Sequence, residues 1–324
     1  MVVYFHRNKR LGFSINKVTQ TLIKHIDNKK EYFVPEHTAS LSSIIKNIIF
    51  VMRHRDKKSI NHVTGDIHYC ILGLLGCKSV LTIHDTVLLD FNKMPIIKRF
   101  FAEYLWFRIP LRIATKVVCI SEATKKSVCR YTKRKDIEVI YDSIENTEIS
   151  RRSQNISGKT RILIVGTKTN KNIERTIIAL KGLDVRLTII GKLSKEQKIL
   201  LSNCSTEYIN KYNLTDDEMV SEYRNADILS FISLFEGFGM PILEANQQGL
   251  PIVCSNIPVL KEVAGDSAIF VDPYNTTKIH EAFIDLITNK DLRIKIVDAG
   301  YNNIKRFDAI CNARRLYMLY ESIL

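Results

Sequence analysis

Short, almost continuously apolar runs punctuate the chain, and most of them end in Gly, Ser, Asp or His before a stretch with helical spacing begins. VVYF (2–5), SVLTI (79–83), KVVCI (116–120), IEVIY (137–141), TRILIV (160–165), VRLTII (185–190), DILSFI (227–232), PIVCS (251–255) and AIFV (268–271) read as strands. Their lack of polar alternation is what strands covered on both faces require. Between them, NKNIERTIIALKGL (170–183) places Ile173, Ile177 and Leu180 on one helical face, and EMVSEYRNA (218–226) does the same with Met219 and Tyr223. Strand and helix in alternation predict an α/β fold with parallel sheets.

A length of 324 residues exceeds what one hydrophobic core usually supports, so two domains are expected. The stretch 138–159 loses apolar periodicity and fills with Ser, Asn and charge before a fresh strand starts at Thr160, which makes it the linker. The expected division is a first domain over 1–150 and a second over 151–306. Residues 307–324 read as one amphipathic helix with Ile310, Leu316, Tyr317 and Tyr320 among its apolar positions. Two open α/β domains in series place ligands at the carboxyl ends of their strands, so the active site is expected in a cleft between them.

Composition narrows the class. With 45% hydrophobic and 25% charged residues the chain is globular rather than disordered or collagenous. Its seven cysteines contain no C-x-x-C pair and no zinc-like spacing with histidine, and Cys119 and Cys254 sit inside apolar runs as small core residues of a reducing compartment. The start, apolar and then basic, is the reverse of a secretory signal, and the apolar stretches are too short or too interrupted to span a bilayer. A cytoplasmic location is expected. The net charge of +14 is lopsided: residues 1–150 carry 25 basic against 14 acidic groups, and the remainder 23 against 20. Such a field draws in nucleic acid or an anionic membrane surface, or simply solubilises. No nucleic-acid-binding module is recognisable, and no G-x-G-x-x-G follows the first strand as a nicotinamide enzyme would need. The stretch SIIKNIIFVMRHR (43–55) reads equally as an interfacial amphipathic helix or as a core helix with a solvated basic end.

The segment SLFEGFGMPILEANQQGLPIVCSN (233–256) carries the most chemistry. Gly237 and Gly239 permit a tight turn after the strand, Pro241 suits the first turn of a helix, and Gly249 suits its left-handed close. Strand, glycine turn and helix aim unpaired N–H groups and a positive dipole end at one spot, a site for phosphate. Glu244, one turn into that helix, can reach beyond the phosphates to vicinal hydroxyls, and Glu236 precedes the helix. A second phosphate-handling element is VGTKTNKN after TRILIV, where Gly166 and Thr167 turn the chain and Lys171 opens the next helix, with Lys168 as a substitute. A lysine there can neutralise a diphosphate as bond cleavage puts charge on it.

With these residues in place, the chain resembles a retaining nucleotide-sugar glycosyltransferase of the GT-B fold, in the family 4-like group that includes many lipopolysaccharide and capsule sugar transferases. SLFEGFGMPILEA matches that group's Glu-x7-Glu motif, supported by VGTKTNKN, YRNADILSFIS, the IHD at 83–85, ISEATKKSV (120–128) and the terminal RFDAICNARRLYMLY. The resemblance implies that Glu244 holds the ribose, that Glu236 contacts hydroxyls of the donor sugar, and that Lys171 with the amides of Gly237, Phe238 and Gly239 holds the diphosphate. Thr167, Lys168, Lys192, Met240 and Pro241 complete the implied donor site. The group's glycine-rich first loop is reduced to RLGFSI, with Gly12 alone. Asn170 stands where arginine is common, leaving Lys168 or Lys192 to supply the second positive charge, and the usual Asn-Gly after the last first-domain strand is Asp142-Ser143. His84 corresponds to a first-domain histidine near the donor sugar, and Ser121 is a helix cap and a candidate at the cleft. The terminal helix is implied to cross back to the first, acceptor-binding domain.

The implied reaction is front-face displacement, because no second carboxylate is marked as an acid/base partner of Glu236. No Asp-x-Asp motif is present, so no metal and no cofactor is expected beyond the nucleotide-sugar substrate. The implied acceptor is a lipid-linked glycan, undecaprenyl-linked or on another lipid, in O-antigen, capsule or lipopolysaccharide synthesis. The protein would then sit peripherally on the inner face of the cytoplasmic membrane. A soluble sugar acceptor is the alternative, and a basic nucleic-acid-binding protein the remote one.

Overall fold

The computed structural model describes residues 1–10, 13–91, 94–145 and 153–324. The chain forms two compact units, Met1–Glu145 with Phe307–Leu324, and Asn146–Arg306. In the first unit six strands, β1 (Val2–His6), β2 (Lys29–Phe33), β3 (Ile60–Val63), β4 (Ser79–Ile83), β5 (Lys116–Cys119) and β6 (Ile137–Val139), run parallel in the order β2-β1-β3-β4-β5-β6. The helices α1 (Phe13–Ile23), α2 (Leu41–His54), α3 (Val87–Asp90), α4 (Ile96–Ala102), α5 (Ile109–Ile113) and α6 (Glu122–Val128) lie between them. A short 3-10 segment (His68–Leu74) precedes β4, and a π-helical stretch (Glu103–Arg108) continues α4.

The second unit repeats the plan. Its strands β7 (Thr160–Val165), β8 (Val185–Ile190), β9 (Glu207–Lys211), β10 (Ile228–Phe231), β11 (Ile252–Ser255) and β12 (Ile269–Val271) are parallel in the order β12-β11-β10-β7-β8-β9. Its helices are α7 (Ile173–Leu180), α8 (Lys195–Asn203), α9 (Asp216–Asn225), α10 (Met240–Gln247), α11 (Pro258–Ala264), α12 (Thr276–Thr288) and α13 (Lys290–Asn303). Gly300 lets α13 approach α10, since a Cβ there would come 2.7 Å from Asn246 Oδ1. Ile173, Ile177, Leu180 and Tyr223 are buried as their spacing predicts, while Met219 is half-exposed. Cys119 and Cys254 are buried free thiols. No helix among the described residues is long and apolar enough to cross a membrane.

The nine predicted strands fall on observed ones, and β2, β3 and β9 were not foreseen. β2 and β9 are the outer strands of their sheets, where one edge and part of each face meet solvent, so KKEYF and EYINK can be polar. β3 is fully buried, and its apolar signal is broken by Asn61 and His62. Both polar groups are paired. Asn61 Nδ2 donates to Asp56 O at 2.7 Å and Asn61 Oδ1 accepts from Asp56 N at 3.0 Å, while His62 lies between Thr82 Oγ1 (2.7 Å) and Tyr320 Oη (2.6 Å).

Tyr320 belongs to the last helix, α14 (Ala309–Glu321), which Asp308 caps through the Cys311 amide at 2.8 Å. Leu316, Leu319 and Tyr320 pack with Val2, Tyr4, Ile60, Val80 and Val118 on one face of the first sheet. Ile310 and Tyr317, read from the sequence among the apolar positions, are exposed instead. The helix thus buries a narrower stripe and joins it to a polar chain, with Tyr4 Oη 2.9 Å from Tyr320 Oη. At its start, Ile144 N donates to Phe307 O at 3.0 Å and Asn312 Nδ2 to Ser143 Oγ at 3.0 Å, which fixes the turn after β6.

Burial pushes His62 down to about 3 and His68 down to about 4, so both are neutral in the folded protein at neutral pH. An unfolded histidine takes up its proton near 6.5, so stability is flat above that pH and falls as pH drops from 6.5 towards the folded values. For His62 alone the loss between pH 7.5 and 5.0 is about 2 kcal/mol. Urea unfolding at the two pH values measures it, and a pH-independent unfolding free energy would contradict the neutral, buried assignment.

Candidate active site

In the second unit the strand order reverses between β7 and β10, so the loops leaving these adjacent strands turn to opposite sides and open a crevice at their carboxyl ends. The loop after β10 runs from Ser233 to Gly239 and is anchored by the buried Phe238. Gly239, at φ +120°, occupies a conformation unsuited to other residues, and a Cβ there would also meet Leu260 Cδ2 at 2.9 Å. Gly239 is the N-cap of α10 and makes no side-chain cap, and Pro241 sits in the first turn. The opening amides of α10 therefore lack a side-chain partner at the cap, while Met240 and Pro241 are half-exposed beside them. Gly249 follows the helix at φ +63°.

The loop after β7 is shaped by two more glycines. Thr167 Oγ1 donates to Lys192 O at 2.8 Å, packed against Gly191, where a Cβ would come 2.9 Å from that hydroxyl. Lys171 ends a single 3-10 turn (Thr169–Lys171), and its side chain crosses directly over Gly166, where a Cβ would lie 2.9 Å from Lys171 Cε. Nζ donates to Glu236 Oε1 at 2.6 Å and stands 4.8 Å from the centre of the Phe231 ring. The Lys171 and Glu236 side chains are only 18% and 13% exposed, so each is the main counter-charge of the other. Removing one partner of a fully buried pair costs about 3–5 kcal/mol, and this pair, still touched by water, costs less.

Asn170 joins the two loops: its backbone oxygen accepts from Leu234 N at 2.7 Å and its Nδ2 donates to Phe235 O at 3.0 Å. Sequence comparison with the resembled group marked it only as a place without arginine. The structure gives it a positioning task that needs an amide. Lys168 and Lys192 are both exposed on this rim.

Glu244 lies on α10 and accepts a 2.6 Å bond from Tyr223 Oη of α9. Burial and the neighbouring carboxylate push the Tyr223 phenol far up, so it stays a proton donor that orients Glu244. Tyr223 was read as a core position alone; the signal that marks it is a buried aromatic hydroxyl, which needs a partner.

In the first unit, His84 follows β4 and is buried, with Nδ1 3.6 Å from Asp142 Oδ2 in the turn after β6. Its Nε2 is buried without a hydrogen-bond partner among the described residues. Asp142 was noted from sequence only as a departure from Asn. Ser121 is fully buried, and its hydroxyl caps α6, accepting from Thr124 N at 2.9 Å and donating to Thr124 Oγ1 at 2.9 Å. Gly12 lies outside the described residues.

The glycine at 166 is testable against a control. Gly182 also has a positive φ, at +84°, but nothing stands within 4 Å of a Cβ there. Gly166→Ala should destabilise the protein by about 1–3 kcal/mol more than Gly182→Ala, the range for overpacking, as read in thermal unfolding. Adding Lys171→Ala to Gly166→Ala should shrink that excess. Equal effects of the two glycine substitutions would show that Lys171 does not depend on the missing Cβ.

Comparison with known proteins agrees with this architecture. Residues 145–303 match the family described as Glycosyl transferases group 1. An uncharacterized glycosyltransferase of Methanocaldococcus jannaschii is 24% identical over 331 residues, covering 97% of this chain and 90% of that one. The O-antigen biosynthesis glycosyltransferase WclY of Escherichia coli is 24% identical over 347 residues, covering 90% and 95%. Among solved structures, HepE of Anabaena in complex with UDP and glucose matches with a TM-score of 0.77 at 14% identity, over 99% of this chain and all of that one. Two parallel six-stranded sheets with this order are the GT-B fold, and the chain is a glycosyltransferase whose residues 145–303 match the model of glycosyl transferases group 1.

Proposed function

We propose that the protein transfers a sugar from a nucleotide-sugar donor, with retention at the anomeric carbon, to a lipid-linked glycan in the assembly of a cell-surface polysaccharide of the O-antigen, capsule or lipopolysaccharide kind. One observation carries the donor half of this reading: a shielded Lys171 ammonium, paired with Glu236, beside a helix start without a side-chain cap. That arrangement suits a diphosphate next to a sugar. The UDP bound in HepE supports a nucleotide donor, and the O-antigen role of WclY supports a surface glycan product.

In the proposed reaction the donor lies with its diphosphate at Lys171 and the amides of Gly237 to Gly239, its ribose hydroxyls at Glu244 and its sugar hydroxyls at Glu236. The bond from the anomeric carbon to the diphosphate oxygen breaks with its electron pair going to the diphosphate. The acceptor oxygen attacks from the face just vacated, and its proton passes to the departing phosphate oxygen. Lys171 and the α10 dipole stabilise the charge that grows on the leaving group, which makes a divalent cation unnecessary to the proposal. On the first unit, His84 offers Nε2 to a sugar hydroxyl, with Asp142 holding Nδ1. The protein is proposed to work at the inner face of the cytoplasmic membrane, where a lipid-linked acceptor would be met.

Nucleotide release from UDP-, GDP-, dTDP- and CMP-sugars selects the donor, and variants then test the roles. Lys171→Ala should lower kcat by about 10²–10³ while moving donor KM far less, because its partner charge appears only as the bond breaks. Glu244→Ala should raise donor KM about tenfold to a hundredfold, the equivalent of losing a charged hydrogen bond. Turnover should survive excess EDTA, and the product anomer should match the donor by NMR. An unchanged kcat in Lys171→Ala, or activity lost to EDTA and restored by Mg²⁺ or Mn²⁺, would overturn the mechanism.

A further inference from the structure

The helix α4 is poorly explained by its own fold. Of its seven residues only Ala102 is buried, while Ile96 is 86% and Ile97 72% exposed, and Phe100 and Phe101 are more than half exposed. The Phe100 and Tyr104 rings lie 4.4 Å apart at a tilt of 34°, and the Arg108 guanidinium stands 5.6 Å from the Tyr104 ring, so an aromatic cluster sits with a cation at its edge. The helix α2 divides its faces more sharply. Ser43, Ile44, Asn47 and Val51 are buried, and Leu41, Ile45, Ile49 and Met52 form an exposed stripe at spacings of four, four and three. Exposed apolar side chains on this scale and in this grouping mark an interaction surface.

The two helices belong to one block of the first unit. Asn47 Nδ2 donates to Tyr69 Oη at 2.9 Å, and the Tyr69 ring lies 4.8 Å from Trp106 in the π-helical continuation of α4. Arg55 binds the carbonyls of Gly73 and Leu75 at 2.9 and 3.2 Å, beside the exposed Leu75. Arg53 of α2 and Lys98 of α4 are exposed, as are Lys57 and Lys58 in the turn after α2 and Arg112 on α5, whereas Glu103 is spent on Arg108. Apolar ridge and basic surround are the complement of an acyl boundary beneath anionic headgroups.

We propose that α4, with the outer stripe of α2, inserts into the headgroup–acyl boundary of an anionic bilayer, so that attachment is hydrophobic at its centre and electrostatic at its rim. This rests on the reading of a lipid-linked acceptor only for its purpose, and the test separates the two.

The full-length protein is sedimented with phosphatidylcholine vesicles and with vesicles containing phosphatidylglycerol. Binding should rise with the anionic fraction, and part of it should persist at high salt. Ile97→Glu with Phe100→Glu should weaken vesicle binding at least tenfold at any salt concentration, and Arg53→Glu with Lys58→Glu should weaken it only at low salt. Arg55 is left alone because its carbonyl bonds are structural. All variants should hydrolyse the donor to nucleotide and free sugar at the wild-type rate, which shows them folded. Vesicle binding that survives the α4 substitutions, or is wholly released by salt in the wild type, overturns insertion. Loss of a wild-type self-association in the α4 variant, with no vesicle binding in either protein, assigns the face to a second copy and overturns it too. If insertion holds while only water-soluble acceptors are glycosylated, the lipid-linked acceptor falls and the membrane face stands.

Discussion

Every neighbouring pair of strands in both sheets is parallel. Parallel strands cannot be joined by tight hairpins, so each connection leaves the carboxyl edge, crosses a face and returns to the amino edge. The crossing helices bury both faces, and the carboxyl edge is left as the place where chain direction changes without a partner strand. Gly166 to Lys171, Ser233 to Gly239, His84 and Asp142 all occupy such edges, because only there can a side chain be held by a rigid strand and still lie outside the sheet. The reversal of strand order at β7 and β10 adds the crevice, and Asn170 keeps its two walls in register.

Within that crevice the charge arrangement is tightly balanced. The Lys171 ammonium is drawn to both the Glu236 carboxylate and the face of the Phe231 ring, two attractions that strengthen as water is excluded. In the proposed reaction the same ammonium must also serve a diphosphate, which brings more negative charge than one lysine and the fractional charge of a helix end can offset. Glu236 adds to that excess. The exposed Lys168 and Lys192 therefore matter for a reason visible in charge alone: they are cations on the loops at this rim, and among the described residues neither is committed by a side-chain bond to an acid.

How far sequence revealed this depends on whether a feature was imposed by the backbone or by a distant partner. The strands that carry the site, β4, β7 and β10, were legible because burial on both faces forces unbroken apolar runs. The glycines at 166 and 239 and Pro241 were legible because turn and helix geometry select them locally. β3 was hidden because Asn61 and His62 are tolerable only through bonds to Asp56, Thr82 and Tyr320, the last 258 residues away. Asp142 beside His84 and Tyr223 beside Glu244 were hidden for the same reason: neither has a spacing that announces its partner, 58 and 21 residues away respectively. The narrowed apolar stripe of α14 follows as well, since Tyr320 is buried for its hydroxyl as much as for its ring.

The stretch 43–55 shows how two readings of a sequence can each describe one side of the same element. A helix with apolar residues at 41, 44, 45, 48, 49, 50, 51 and 52 has too many to hide on one face, whatever its partner. In α2 the inner face is closed by polar as well as apolar groups: Ser43 shares bonds with Ser40 and Thr38, and Asn47 is tied to Glu36 and Tyr69. Those polar ties fix which side faces inward, and they do so at positions where apolar side chains would have been the simpler filling. The outer isoleucines are left exposed by that choice of register rather than by a shortage of core, since a rotation of the helix would have to break the Asn47 and Ser43 bonds in order to bury them. Helix stability alone does not call for an outer apolar stripe, because charged residues would hold the same helix at least as well in water. The physical reason for the stripe must therefore lie in whatever the exposed face meets.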